Sequence, residues 1–304
     1  MTTAPPLRGV ISYPVTPFDP DTGALDLPGL RRLTGDLVAA GSHAVAPLGS
    51  AGESVYLTES EWDAVCETTL QTVAGRVPTL VGVAHFSTEG TVRRARVAAR
   101  NGATAVMVLP LVYWQLTDAE LERHFATVAA ATDLPMVLYN NPGTSGVDLT
   151  PDRVVALARR IPQLTMVKES SGDVARFRAL RERSDGALSV YNGNNPVALD
   201  AFRAGAAGWC TAAPCLVPAW CLDLYDAAVR GEAERAEAVF GPLLPLLEFL
   251  VGRGLPRAVK AGLGLLDRDA GPPRPPQLPL PAGETEQLRR LLGRLDASGR
   301  APLR

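Results

Sequence analysis

Short apolar runs alternate with longer segments of helical period along most of the chain. The runs cover residues 10–15, 44–48, 79–83, 105–109, 136–139, 165–168, 188–191 and 208–211, each brief and hydrophobic throughout. Parallel strands covered on both faces read this way, because neither side of the pleat meets water. Between the runs, apolar positions recur at helical spacing over 30–40, 60–73, 91–100, 118–131, 151–160, 174–183, 196–204 and 218–229. Local punctuation agrees with these limits. Thr58-Glu59-Ser60-Glu61 and Thr117-Asp118-Ala119-Glu120 put a hydroxyl cap three residues ahead of a glutamate. Gly41, Gly102 and Gly205 stand where a helix ends through left-handed backbone.

Eight strand–helix repeats without a reversal predict a (β/α)8 TIM barrel rather than an open doubly wound sheet. After Arg230 the alternation stops. Residues 232–251, 256–266 and 284–295 read as three further helices, and the proline-rich stretch 271–281 as a stiff extended connector. The expected organisation is a barrel over 1–230 with a C-terminal helical extension over 231–304 packed on it, and no internal repeat.

Composition narrows the function classes. Thirty basic against 32 acidic residues leave a net charge of −2, so no basic field draws in nucleic acid. Cys66, Cys210, Cys215 and Cys221 form no CxxC pair, and His43, His85 and His124 are scattered; neither a disulfide framework nor a metal site is expected. No run of 18 apolar residues occurs and the start lacks a signal-type apolar region, so the expectation is a cytoplasmic protein without a membrane partner. Only two basic residues are lysines, Lys168 and Lys260. That scarcity directs attention to the lysine beside an apolar run.

In a barrel of this kind the working residues lie at the carboxyl ends of strands. Lys168 follows Leu164-Thr165-Met166-Val167, so its stem leaves a buried strand and its amine points to the barrel mouth. Desolvation there disfavours an ammonium and favours a neutral amine that attacks carbonyls and forms Schiff bases. An ion pair with Glu53 or Glu169, without chemistry, is the competing reading. Tyr139 ends the neighbouring strand, where its phenol could move protons. Gly49-Ser50-Ala51-Gly52 offers close backbone N–H groups and one hydroxyl, suited to a carboxylate or phosphate. Lys260 lies on a helix of the extension and reads as structural, as do the three histidines.

Gly49-Ser50-Ala51-Gly52-Glu53, Tyr139-Asn140-Asn141-Pro142-Gly143 and Val167-Lys168-Glu169-Ser170-Ser171-Gly172, with Pro14-Val15-Thr16-Pro17-Phe18 near the start, resemble the dihydrodipicolinate synthase / N-acetylneuraminate lyase family over about residues 8–266. The resemblance implies a class I aldolase-type barrel, tetrameric or dimeric, that binds pyruvate or another 2-keto acid as a Schiff base without metal or organic cofactor. By it, Lys168 forms the imine, Tyr139 transfers protons, and Ser50 with the Ala51 N–H holds the keto-acid carboxylate. Gly49, Thr144, Asn194, Tyr113 and Cys210 complete the implied substrate contacts.

Departures from the family pattern bear on the second substrate. Ala51 stands where the synthases carry a second hydroxyl, and Thr144 where they carry an arginine for the aldehyde's carboxylate. Val112 falls at their second relay tyrosine, with Tyr113 adjacent. Asn194 and Asn195 stand where sialate lyases use acidic residues and suggest a neutral group in the distal pocket; Trp114 and Trp209 stand near the mouth, where wall packing is favoured over added apolar surface for a bulkier acceptor. The expected function is a 2-keto-acid lyase that cleaves, condenses or dehydrates, with an aldehyde as a possible second substrate. Two alternatives stand beside it: the 4-hydroxy-tetrahydrodipicolinate synthase of lysine biosynthesis, and a non-catalytic ligand-binding barrel.

Overall fold

The computed structural model describes residues 7–297. Eight parallel strands form the barrel: β1 Gly9–Ser12, β2 Ala44–Val45, β3 Leu80–Gly82, β4 Ala105–Val108, β5 Met136–Asn140, β6 Leu164–Glu169, β7 Ser189–Asn192 and β8 Gly208–Thr211. They run in the order β2-β1-β8-β7-β6-β5-β4-β3, and a Val45–Thr79 bridge brings the two ends together. The strands are almost wholly buried, which is why they read as unbroken apolar runs.

Most helix limits follow their punctuation. Thr58 and Thr117 form full capping boxes with Glu61 and Glu120, which satisfy backbone N–H groups that lack helical partners. Two of the boundaries that differ from the periodic reading have a local cause. The helix Leu27–Ala39 starts early, because Asp26 caps it and Pro28 is tolerated in a first turn. The run 44–48 contributes only two residues to the ladder. Pro47 has no N–H to give, and Leu48 turns the chain with φ at 62°.

Beyond the barrel, helices Ala233–Arg253, Leu255–Leu265 and Ala282–Asp296 pack Leu243, Leu250, Leu263 and Leu288 into the same buried cluster as Ile11, Trp209 and Trp220. The proline-rich connector is not a free spacer. The Phe18 N–H donates to the Ala270 carbonyl at 3.0 Å and the Arg274 N–H to Glu53 at 2.7 Å, so this strap lies against the barrel mouth.

Candidate active site

Register places the chemistry. Tyr139 on β5 pairs with Lys168 on β6, so the two side chains leave neighbouring strands at one level. The Lys168 Nζ lies 3.9 Å from the centre of the Tyr139 ring and 4.2 Å from that of Tyr13, and Lys168 is only 5% exposed. An amine held between two aromatic faces keeps part of its cation stabilisation while losing water. No carboxylate among the described residues lies within ion-pair distance of it. Glu169 accepts from the Asn140 amide at 2.9 Å and the Ser171 N–H at 2.6 Å, and Glu53 pairs with Lys260 at 2.7 Å. The competing ion-pair reading of Lys168 is therefore not what the fold builds.

The three phenol and thiol groups around the amine are tuned differently. Burial alone would push the Tyr139 phenol up, but the Lys168 charge and hydrogen bonds with Asn141, Ser50 and Lys168 bring it below the ordinary tyrosine value. The Asn141 amide donates to its oxygen at 2.8 Å. Burial, and then Cys210, drive Tyr13 well above the ordinary value; its hydroxyl meets the Met107 sulfur at 3.3 Å. Cys210 on β8 is likewise raised by burial, against the pull of Lys168. The two phenols beside the amine are thus shifted in opposite directions, Tyr139 down and Tyr13 up.

Two glycines make the space. A Cβ at Gly193 would fall 1.9 Å from the Ser170 Oγ and 2.6 Å from the Lys168 Cε, and one at Gly49 would strike the Tyr13 ring at 2.7 Å. Displacing a reacting atom by about 1 Å can cost about a hundredfold in rate, so Gly193→Ala is expected to cut turnover on that order. Steady-state kinetics beside a circular-dichroism check for retained fold would measure it.

In front of Tyr139 opens a cavity of about 210 Å³, bounded by Gly49, Ser50 and Thr144 together with Val55, Tyr56, Leu109, Leu111 and Gln277. Lys168 is not on its wall, but its amine rests against Tyr139, which is. Ala51 is buried just behind, in the loop that Gly49 and Ser50 begin.

Several expected contacts fall elsewhere. Asn194 sits beside Gly172 at the rim, not on the cavity wall. Asn195 and Trp209 are both buried and face each other, the indole N–H donating to the amide oxygen at 3.1 Å; neither adds surface to the mouth. Tyr113 and Trp114 stack edge to face on the outside, 85% and 77% exposed, and do not reach the cavity of their own chain. His43 accepts from the Val10 N–H, His85 sits against Ser87 and His124 against Thr88, and no metal-binding group of side chains occurs among the described residues.

Tyr13 and Asn141 escaped the sequence reading, although both stand just beyond strand ends, where the same positional rule would have found them. The Lys260–Glu53 pair had no sequence signal, since it joins distant segments.

The dihydrodipicolinate synthetase family profile matches residues 6–295. The chain belongs to that family. The 4-hydroxy-tetrahydrodipicolinate synthase of Methanoculleus marisnigri is 36% identical, over 94% of this chain and 98% of its own length. A crystal structure from Pseudomonas aeruginosa, provisionally described as a dihydrodipicolinate synthetase, is 49% identical with a TM-score of 0.93 and covers 95% of this chain and 99% of its own. The dihydrodipicolinate synthase of Aquifex aeolicus is 28% identical with a TM-score of 0.91, covering 95% and 98%. As a member of the dihydrodipicolinate synthetase family, the protein is a class I aldolase-type lyase that acts on a keto acid through a Schiff base. No helix among the described residues is long and apolar enough to cross a membrane.

Proposed function

We propose that Lys168 is the imine-forming residue and Tyr139 its proton-transfer partner. The supporting observation is the pairing of these two residues across β5 and β6, with the Nζ 3.9 Å from the phenol ring and no carboxylate competing for it. The neutral Nζ attacks the keto carbon, and the carbonyl oxygen gains a proton as the carbinolamine forms. Loss of that oxygen as water gives the iminium, with Tyr139 giving and taking the protons. The iminium nitrogen draws the electron pair of the adjacent C–H or C–C bond, so a nucleophilic enamine forms at the neighbouring carbon. Ser50 Oγ and the Ala51 N–H hold the keto-acid carboxylate at the loop after β2, with Gly49 giving the close backbone approach. Incubation with pyruvate and cyanoborohydride, followed by peptide mass spectrometry, is expected to place the reduced adduct on Lys168. An unlabelled Lys168 would reject the assignment.

The second substrate is read from the cavity wall. None of its lining side chains carries a charge, and Thr144 presents only a hydroxyl. Burying an unpaired carboxylate there would cost several kcal/mol, whereas an uncharged carbonyl compound with apolar substituents loses little. The favoured partner is therefore a neutral aldehyde, in preference to the carboxylate-bearing aspartate semialdehyde used in the lysine pathway. An aldehyde panel with pyruvate distinguishes the two: faster turnover of aspartate semialdehyde than of neutral aldehydes would restore the biosynthetic reading. The exposed Tyr113–Trp114 pair and four free, buried cysteines support a homo-oligomer, dimeric or tetrameric, working in the cytoplasm.

A further inference from the structure

We infer that the buried ion pair between Lys260 and Glu53 positions the carboxylate-holding loop, so that the C-terminal extension sets the affinity for the keto acid. This rests on the reading of Ser50 and Ala51 as the carboxylate clamp. The loop itself is held mainly by short turns: the Gly52 N–H donates to Gly49, and the Glu53 N–H to Ser50, each at 3.1 Å. Its far end is fixed by the Glu53 side chain. That residue turns the backbone with φ at 57° and is 1% exposed.

Both carboxylate oxygens are taken by the extension. One meets the Lys260 Nζ at 2.7 Å; the other accepts from the Arg274 N–H at 2.7 Å and the Gln277 amide at 3.3 Å. Gln277 also lines the cavity in front of Tyr139, so one residue touches both the anchor and the substrate space. Lys260 in turn donates to the Pro272 carbonyl at 2.9 Å and lies 4.0 Å from the centre of the Phe18 ring. Arg274 stacks on that ring at 4.2 Å and is tied to Glu61 at 2.7 Å. A buried pair of this kind is a weak source of stability, because desolvation offsets most of the attraction, and apolar replacement is often tolerated. What apolar residues cannot supply is direction. Here the direction is that of the loop carrying Ser50 and Ala51.

The pair also carries a pH signature. Burial lowers Lys260 to about 8, Glu53 opposes that shift, and Arg274 adds to it while Asp269 opposes it. As pH rises through that value Lys260 loses its proton and Glu53 loses its partner, so keto-acid affinity falls on the alkaline side. Stability from this group moves the other way. Its folded value lies below the ordinary 10.5, so between about 8 and 10.5 the unfolded chain binds more protons and Lys260's contribution to stability rises.

The test measures how much pyruvate half-saturates reductive labelling of Lys168, in the native protein and in the Lys260→Met/Glu53→Gln double variant, across pH 7 to 9.5. The double variant is expected to keep its native circular dichroism and its labelling plateau, while the half-saturating concentration rises about tenfold near neutrality, within the ordinary range of coupling between two sites. Native half-saturation should climb above about pH 8, and that of the double variant should not. Lys168 and Tyr139 are present in both proteins, so the difference between the two profiles belongs to the pair. Unchanged half-saturation with normal labelling would overturn this inference alone, and so would a native profile flat through pH 8 whether or not the variant folds. Failure of the native chain to label at any pyruvate concentration would remove the imine reading and this one with it.

Discussion

Lys168→Ala is expected to abolish pyruvate adduct formation and to lower turnover on the order of 10⁶-fold, the scale seen when a covalent nucleophile is removed. No other amine among the described residues stands ready to replace it. The chain's second lysine, Lys260, is engaged by Glu53 and the Pro272 carbonyl on the far side of the loop. The fold should survive, because the substitution removes an amine packed between two ring faces and leaves no carboxylate stranded. Single-turnover labelling and a thermal melt measure the two halves of this expectation. An adduct that persists on another residue of the variant would move the imine away from β6.

Tyr139→Phe should separate imine formation from proton transfer. Removing a general acid–base group typically costs about 10²–10⁴ in rate, so kcat should fall by that range while prolonged trapping still labels Lys168. The pH profile carries the sharper sign. The phenol is held below its ordinary value by the Lys168 charge and its hydrogen bonds, against its burial, so it ionises earlier than a free tyrosine. In the native enzyme kcat should therefore decline on the alkaline side before pH reaches about 10. The phenylalanine variant should lack that limb. A variant that retained both the rate and the limb would transfer the proton relay to another group, Ser50 being the next within the same hydrogen-bonded set.

The two tyrosines beside Lys168 show how environment divides identical side chains. Tyr13 and Tyr139 flank the same amine at nearly the same distance. One donates weakly to the Met107 sulfur and is pushed up, while the other is hydrogen-bonded by Asn141 and pulled down. Nothing in the residue type distinguishes them. The partners do, and those partners arrive from β4, the turn after β5, and the loop after β2.

Much of this protein was legible from the order of its residues. Strand runs, capping boxes and terminal glycines each depend on neighbours a few positions away, so the eight-fold alternation and the helices after Arg230 follow from local rules. The position of Lys168 at a strand end, with Tyr139 on the preceding strand, follows from the same alternation. The failures cluster where two distant segments meet. Asn195 looked like a mouth residue because it stands just beyond the carboxyl end of β7, yet its amide oxygen is taken by the Trp209 indole within the wall. Lys260 read as structural, and its ion pair is buried; what its local helix could not show is the partner, Glu53, brought from the far end of the sequence. Periodicity records which faces avoid water, and that is a one-dimensional property. Which charge or amide completes a given side chain depends on distances that exist only after the barrel has closed and the extension has folded back across it.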